Sequence, residues 1–327
     1  MVAPRSFRSL ALVAGSLIAS VSHAQTYWSQ VVRSTGIDHV SDLVVDGTGA
    51  TYITGEFSAT ALYDGQSFFA VGGTDFFAAK LDASGALVWW QQGGGTGLDR
   101  GLRLTLGPNN TLTVIGQFMA TADFQGETLI SQGGSVDLFV SQLSSTDGTQ
   151  QWIKSGGGLT GFDRPADVSV SGGGQIVVTG EFRDAFTFNG ASLISTIDPF
   201  TQLPGTDVFI SAMAPDGTPL WNKQGVAPRD DAAVAITHDA SGAIYATGQF
   251  SARITFDLPH FNTWNNAIYL MKLDAAGNEQ WFRRSGGGIF NQGRDLLWRA
   301  PDDLVLLGSV RGIMSFEDGS PDQVTSF

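Results

Sequence analysis

Apolar and polar residues alternate in short runs along this chain, and glycine, proline, asparagine and aspartate punctuate the runs. Residues 102–106 are apolar at every second position, the period of a half-buried strand. Gly107-Pro108-Asn109-Asn110 follows as a turn, because Gly and Asn tolerate positive φ and Pro fixes its own. Residues 111–118 are β-branched and apolar, a second strand, and residues 137–143 are a third. The Asp147-Gly148 turn leads into a fourth strand around Trp152. Four strands joined by tight turns predict an antiparallel meander. Such a sheet cannot bury both faces alone, so it must stack on a neighbour of the same kind.

The same pattern recurs. Trp28, Trp90, Trp152, Trp221 and Trp281 are 62, 62, 69 and 60 residues apart. Gly55-Glu56-Phe57, Gly116-Gln117-Phe118, Gly180-Glu181-Phe182 and Gly248-Gln249-Phe250 keep the same beat, with a weaker copy at Gly308-Ser309-Val310. Eight residues after each of these glycines stands an aromatic: Tyr63, Phe124, Phe188, Phe256 or Phe316. Seventeen residues before each stands Asp38, Asp99, Asp163, Asp231 or Asn291. Three markers in phase define a repeat of a little over sixty residues, with units at about 34–95, 96–157, 158–225, 226–285 and a partial 286–327. Radial stacking of four-stranded units predicts an all-β fold, a β-propeller of about five antiparallel blades. The tryptophans should be buried and equivalent, filling the space between blades.

The copies at residues 51–57 and 75–90 (Thr-Tyr-Ile-Thr-Gly-Glu-Phe, then Asp-Phe-Phe-Ala-Ala-Lys-Leu-Asp and a Gly before Trp-Trp) resemble the seven-bladed β-propeller repeat of bacterial secreted and surface proteins. The resemblance covers nearly all of the chain after residue 25. It implies a propeller in an extracytoplasmic, often adhesive or scaffolding, setting, and it implies no catalytic residues. Two departures stand out. The fourth unit has Ala267 where the others have Asp75, Asp137 and Asp207, and the fifth unit ends before that strand begins.

Charge narrows the partners. With 18 Lys and Arg against 31 Asp and Glu, the net charge of −13 argues against nucleic acid and anionic membrane surfaces. There is no cysteine, so disulfides and thiolate metal sites are excluded. Residues 1–24 read as a signal peptide: Arg5 and Arg8, then an apolar stretch from Leu10 to Val21, then Ser22-His23-Ala24 as a small-x-small cleavage site. The mature chain is expected to start near Gln25, be secreted or extracytoplasmic, and fold as one repeat domain over residues 25–327.

Asp38, Asp99, Asp163, Asp231 and Asn291 are the most informative polar set. Each should open the innermost strand, so a ring would gather them round one mouth of the channel. There they could line a cation or polyol site, or cap the turns that build the repeat. Two stretches depart from the repeat: residues 196–205, including Phe200 and Gln202, and residues 259–266, including His260, Phe261, Asn262, Trp264 and Asn265. Insertions with exposed aromatics and amides suit glycan or protein contacts. The glycine runs at 93–95, 156–158 and 286–288 lack the Gly-Lys-Ser/Thr and helix of a phosphate loop. The Asp-x-x-Gly turns lack the ligand set of an EF-hand. The few histidines form no paired motif.

The expected function is a non-catalytic binding or scaffolding propeller for an extracellular glycan or protein, without a cofactor. The alternative is an enzyme at the channel mouth, a glycan lyase or hydrolase or a quinone-dependent dehydrogenase. The segment around Trp28 should complete the last blade by supplying its outermost strand. Phe327 lies only 19 residues after Gly308, whereas the third strand of the second unit starts 21 residues after Gly116. That leads to the expectation of a piece of a longer propeller, with a five-bladed ring as the alternative.

Overall fold

The computed structural model describes residues 33–325, apart from residues 35, 161, 252, 262–266, 288–289, 301–302, 312 and 317–322. The proposed signal peptide, Trp28 and most of its strand lie outside the described residues.

The repeat folds as the alternation predicts. The first blade is an antiparallel meander of Asp38–Val45, Thr51–Phe57, Asp75–Leu81 and Leu87–Gly95. The second is Arg100–Gly107, Thr111–Met119, Val136–Ser144 and Gln150–Gly156. The third is Arg164–Val170, Ile176–Arg183, Thr206–Met213 and Pro219–Gly225. The fourth is Ala232–His238, Ile244–Phe250, Ala267–Leu273 and Glu279–Gly287. The fifth has a paired Phe290–Arg299 and Asp303–Arg311. The first strands of successive blades pack side by side, which places them round a common axis as inner strands. This arrangement is a propeller-type fold.

Each unit also holds a feature that the four-strand reading lacks. A short hairpin follows the second strand: Thr60–Tyr63 with Gln66–Phe69, Thr121–Phe124 with Glu127–Ile130, Ala185–Phe188 with Ala191–Ile194, Arg253–Thr255 with Pro259–Phe261, and Ile313–Phe316 with Gln323–Thr325. The hairpin crosses to the preceding blade. Ala122–Phe124 pair with Gly93–Gly95, and Met314–Phe316 pair with Ser285–Gly287. Bridges from Gly157 to Thr187 and from Val226 to Thr255 repeat the contact. The marker aromatics end the first hairpin strand or, for Phe256, directly follow it, and they lie on a glycine of the neighbouring blade: Phe124 on Gly93, Phe188 on Gly156, Phe256 on Gly225. A side chain at those glycines would occupy the space of the ring. Pro259–Phe261 is therefore the second hairpin strand of its unit and not an insertion.

The glycine of the Gly-Glu/Gln-Phe marker has an equally local cause. Every inner strand carries a β-bulge opposite it, at Val40/Asp42, Gly101/Arg103, Pro165/Asp167, Ala233/Ala235 and Gly293/Asp295. The bulge brings the inner-strand backbone close. A Cβ on Gly116 would stand 2.2 Å from the Arg100 carbonyl oxygen and 2.5 Å from the Phe139 ring, and Gly180 meets Arg164 and Phe209 in the same way.

Apolar side chains of adjacent blades interdigitate. Tyr52, Phe76, Ala78 and Trp89 of the first blade pack with Leu104, Val114, Phe118 and Phe139 of the second. Ile115, Leu138 and Val140 pack with Val168, Phe182 and Phe209 of the third. The two end blades differ. Leu307 of the fifth is 62% exposed, whereas its counterparts Thr54, Ile115, Thr179 and Thr247 are fully buried. Leu43 of the first is 58% exposed, against 6% for Leu104. No closed ring is present among the described residues. Arg33–Ser34 pair with Ala61 and Leu62 of the first hairpin, the place that Gly93–Gly95 hold on the second. That is the position of an outer strand in a blade preceding the first.

The tryptophan expectation needs correction. The third and outer strands shift register just after the turn, so Trp89, not Trp90, is the counterpart of Trp152, Trp221 and Trp281. Trp152, Trp221 and Trp281 are half-buried. Trp89, Trp152 and Trp221 lie against the turn glycine of the next blade, Gly148, Gly217 and Gly277. The indole N–H groups of Trp152 and Trp221 donate to the Pro215 and Ala275 carbonyls at 3.0 Å. Trp90 instead stacks between Phe68 and Phe77. Trp152→Ala should accordingly cost about 2 kcal/mol in urea unfolding, below the ~3–5 kcal/mol of a fully buried aromatic. A loss under about 0.5 kcal/mol would contradict the clasp between blades.

Candidate functional site

The marker acids open the inner strands as expected, but the structure buries them at the blade junctions. Asp99 and Asp163 are fully buried, and Asp231 and Asn291 nearly so. Asp99 accepts hydrogen bonds from the Gly95 and Met119 amides at 2.8 and 3.1 Å. Asp163 accepts one from Gly158 at 2.8 Å, and Asp231 one from Ser251 at 3.3 Å. Each faces the first acid of the preceding blade's third strand: Asp99 faces Asp75, Asp163 faces Asp137, and Asp231 faces Asp207. Burial pushes Asp75, Asp99 and Asp137 up to about 6 and Asp163 up to about 7. At the fourth junction Ala267 and Asn291 replace both acids, so the charges are absent together. Asp38 is half-buried at the start of its strand.

The next residue along the inner strand lines a common cavity in the second to fifth blades. His39, Arg100, Arg164, Ala232 and Gln292 hold this position, each paired across the strands with the middle residue of the second marker: Glu56, Gln117, Glu181, Gln249 and Ser309. Arg100 donates from Nε and Nη2 to Gln117 Oε1 at 3.1 and 2.6 Å. The Gln117 amide donates in turn to the Asp163 carbonyl at 2.9 Å. Arg164 forms an ion pair with Glu181 at 2.7 Å. Beyond the bulge stand Asp42, Arg103, Asp167 and Asp295. Asp42 takes the amides of Leu43 and Leu104, and Asp167 those of Val168 and Ile236, so each acid ties its inner strand to the next blade's. Burial pushes Asp167 up to about 7, against the pull of the Arg103 guanidinium.

Residues of the second to fifth blades line an open cavity of about 500 Å³ on the axis. Arg100, Arg103, Arg164 and Arg294 line it, with Gln117, Gln249 and Gln292. The protein has 18 basic residues and a net charge of −13, and it gathers four of those residues here. Arg103 answers Asp42 and Asp167, and Arg164 answers Glu181. Among the described residues Arg100 donates to a neutral amide, and Arg294 is exposed. Planar guanidinium forks beside carboxamides bind carboxylate, sulfate or phosphate groups in two-point fashion. Sequence reasoning missed this set because the residue after each marker acid varies between blades. The recurrent Glu or Gln between marker Gly and Phe was the available signal: a polar residue inside an apolar strand needs a partner.

The same end of the blades carries the irregular loop at residues 196–205. Ile197 bridges Pro204, and Asp198 Oδ1 accepts the Phe200 and Thr201 amides at 2.6 and 3.1 Å. Gln202 takes a left-handed conformation and donates to the Pro199 carbonyl. Phe200 projects from this turn, 75% exposed, with the Arg229 guanidinium 4.9 Å from its ring centre. His260 stacks on Phe282 and bonds Glu279 at 3.1 Å. Asn262, Trp264, Asn265 and the Phe261 side chain lie outside the described residues.

No family model matches the chain. An uncharacterized WD repeat-containing protein, L264 of Acanthamoeba polyphaga mimivirus, is 21% identical over 90% of the chain, which spans 26% of that relative's length. Among solved structures, a D477G ACO/RPE65 chimera aligns with TM-score 0.43 and 11% identity, covering 89% of this chain and 57% of that one. A calcium-binding regucalcin from Agrobacterium tumefaciens aligns with TM-score 0.32 and 11% identity, covering 83% and 81%. A glucose dehydrogenase aligns with TM-score 0.33 and 10% identity, covering 86% and 96%.

Proposed function

We propose that this chain is a secreted or cell-surface binding propeller of the seven-bladed repeat class, and that its channel mouth takes an acidic glycan. The observation that carries the reading is the concentration of four arginines on one axial cavity of an acidic protein. The lining offers guanidinium and carboxamide donors, groups suited to binding charge rather than moving protons at neutral pH. This favours binding over the lyase or hydrolase alternative. An acidic exterior around a basic mouth also steers an anionic chain to the axis. The leader-like first 24 residues would place the site outside the cytoplasm, where uronate and sulfate polymers are met. Changing Arg100→Gln together with Arg294→Ala should weaken polygalacturonate binding about tenfold or more, the scale of losing charge-assisted contacts. The melting temperature should hold. Unchanged affinity would overturn the reading.

A further inference from the structure

The two ends of the blades are unlike. Inner strands begin, outer strands end and hairpins return at the end that carries the marker acids. The turns from first to second and from third to fourth strands lie at the other end. Asp46, Asp82, Asp147, Asp216, Asp239 and Asp274 stand in those turns. Arg100 and Arg164 of the axial cavity start their inner strands, so these six acids lie at the end away from them.

At the marker-acid end two positions are apolar and exposed in blade after blade. The residue before the marker acid is Ile37, Leu98 or Phe162 in the first three units, and Asp230 in the fourth. The last residue of the second hairpin strand is Phe69, Ile130 or Ile194. Exposure of the six apolar residues runs from 49% at Phe162 to 72% at Ile194. Packing of the blades does not call for them. The hairpins already turn Phe68, Leu129 and Leu193 onto the core, and strand alternation puts the next residue on the opposite side, where a polar one is expected. Nor does the open edge of the first blade explain them, because Ile130 and Ile194 are exposed with a preceding blade in place. The irregular loop adds the exposed Ile197, Phe200 and Leu203 at this end.

We propose that this end of the blades docks on a lipid surface whose headgroups carry an acidic sugar. The proposal rests on the reading of the axial cavity as a site for an acidic glycan, and it names where that glycan is displayed. Charge complementarity and the apolar pattern point the same way. The arginines open at the end that carries the apolar residues, while the turn acids point the chain's negative charge away. Basic groups at a lipid surface favour anionic headgroups. The apolar residues recur blade by blade around the basic cavity. A bilayer interface takes up such separate side chains without a matching pocket for each.

The test is flotation of the intact protein with phosphatidylcholine vesicles, plain or doped with a glucuronosyl diacylglycerol. Wild type should float with the doped vesicles and not with the plain ones. Ile130→Ser with Ile194→Ser should weaken vesicle binding about tenfold or more, the scale of losing apolar burial, and keep wild-type affinity for soluble oligogalacturonate. Unchanged vesicle binding by that variant would overturn the proposal. So would equal flotation with both vesicles, or self-association of wild type that the variant abolishes. Wild type that binds soluble oligogalacturonate but neither vesicle would overturn the docking and leave the arginine cavity standing. Wild type that binds neither the doped vesicles nor the soluble acid would overturn both readings.

Discussion

Gly116→Val is expected to leave no folded protein. Gly116 sits in the second strand of the second blade, directly opposite the bulge of the inner strand. Its missing side chain is the space through which the Arg100 carbonyl and the Phe139 ring approach. At 2.2 Å from a backbone oxygen, a Cβ cannot be accommodated by rotating a side chain, and the valine methyls add to the collision. The bulge or the third strand must move, and both build the core shared with the first blade. Ordinary overpacking costs about 1–3 kcal/mol, and a backbone collision costs more, against a total stability of roughly 5–15 kcal/mol. Gly47→Ala is the matched control, because nothing lies within 4 Å of a Cβ there. Circular dichroism and urea unfolding should show a native Gly47→Ala protein and an unfolded Gly116→Val protein. Native-like unfolding of both would contradict the bulge account.

Alkaline destabilisation is the second large effect. The acids of the three paired junctions are all raised in the folded state, chiefly by burial, and Asp99, Asp163 and Asp231 are raised further by the acid each faces. A raised acid stabilises the fold while protonated. That contribution is complete below the ordinary aspartate value near 3.8 and is lost as pH rises through about 6 to 7. The turn acids run the other way. Asp46, Asp82 and Asp274 are lowered, first by hydrogen bonds from Thr48, Ser84 and Asn278, so their contribution is lost in acid below about pH 4. The two trends place maximum stability near pH 4. With about 2 kcal/mol per acid pair, the melting temperature should fall by roughly 10 °C between pH 5 and pH 8. Replacing Asp75 and Asp99 together by Asn should shallow that fall, as Ala267 and Asn291 do naturally at the fourth junction. A melting temperature that is flat or rises over this range would contradict shared protonation at the junctions.

Much of this fold was legible because the repeat writes its geometry several times. The glycine marker, the turn aspartates and the inner-strand acids each recur where the backbone demands them. Asn109 and Asn110, read as turn residues, do hold positive φ. The hairpins were missed because four-residue strands carry too little alternation to register. Yet Asp64-Gly65 and Asn189-Gly190 were hairpin turns in plain view, and all four residues have positive φ. Trp90 was chosen over Trp89 because spacing cannot separate adjacent tryptophans, and only the register shift after Lys80 decides which one clasps the next blade. The marker acids were placed at the right end of the right strands, but whether a side chain faces the axis or the junction depends on one residue of register. The arginines that line the cavity occupy unlike positions in unlike blades. Their convergence is a property of the inner strands packed side by side and has no single-blade signature.

The claim at the centre of this account is that the axial arginines hold a ligand by its negative charge. Titrating the purified protein calorimetrically with an oligogalacturonate, and then with its methyl ester, tests that claim most directly. The ester replaces each carboxylate by an uncharged group and leaves the sugar hydroxyls and linkages unchanged. Saturable binding of the acid that weakens steeply with added salt, with none of the ester, is the predicted result. Equal binding of both, or binding of neither, would contradict it.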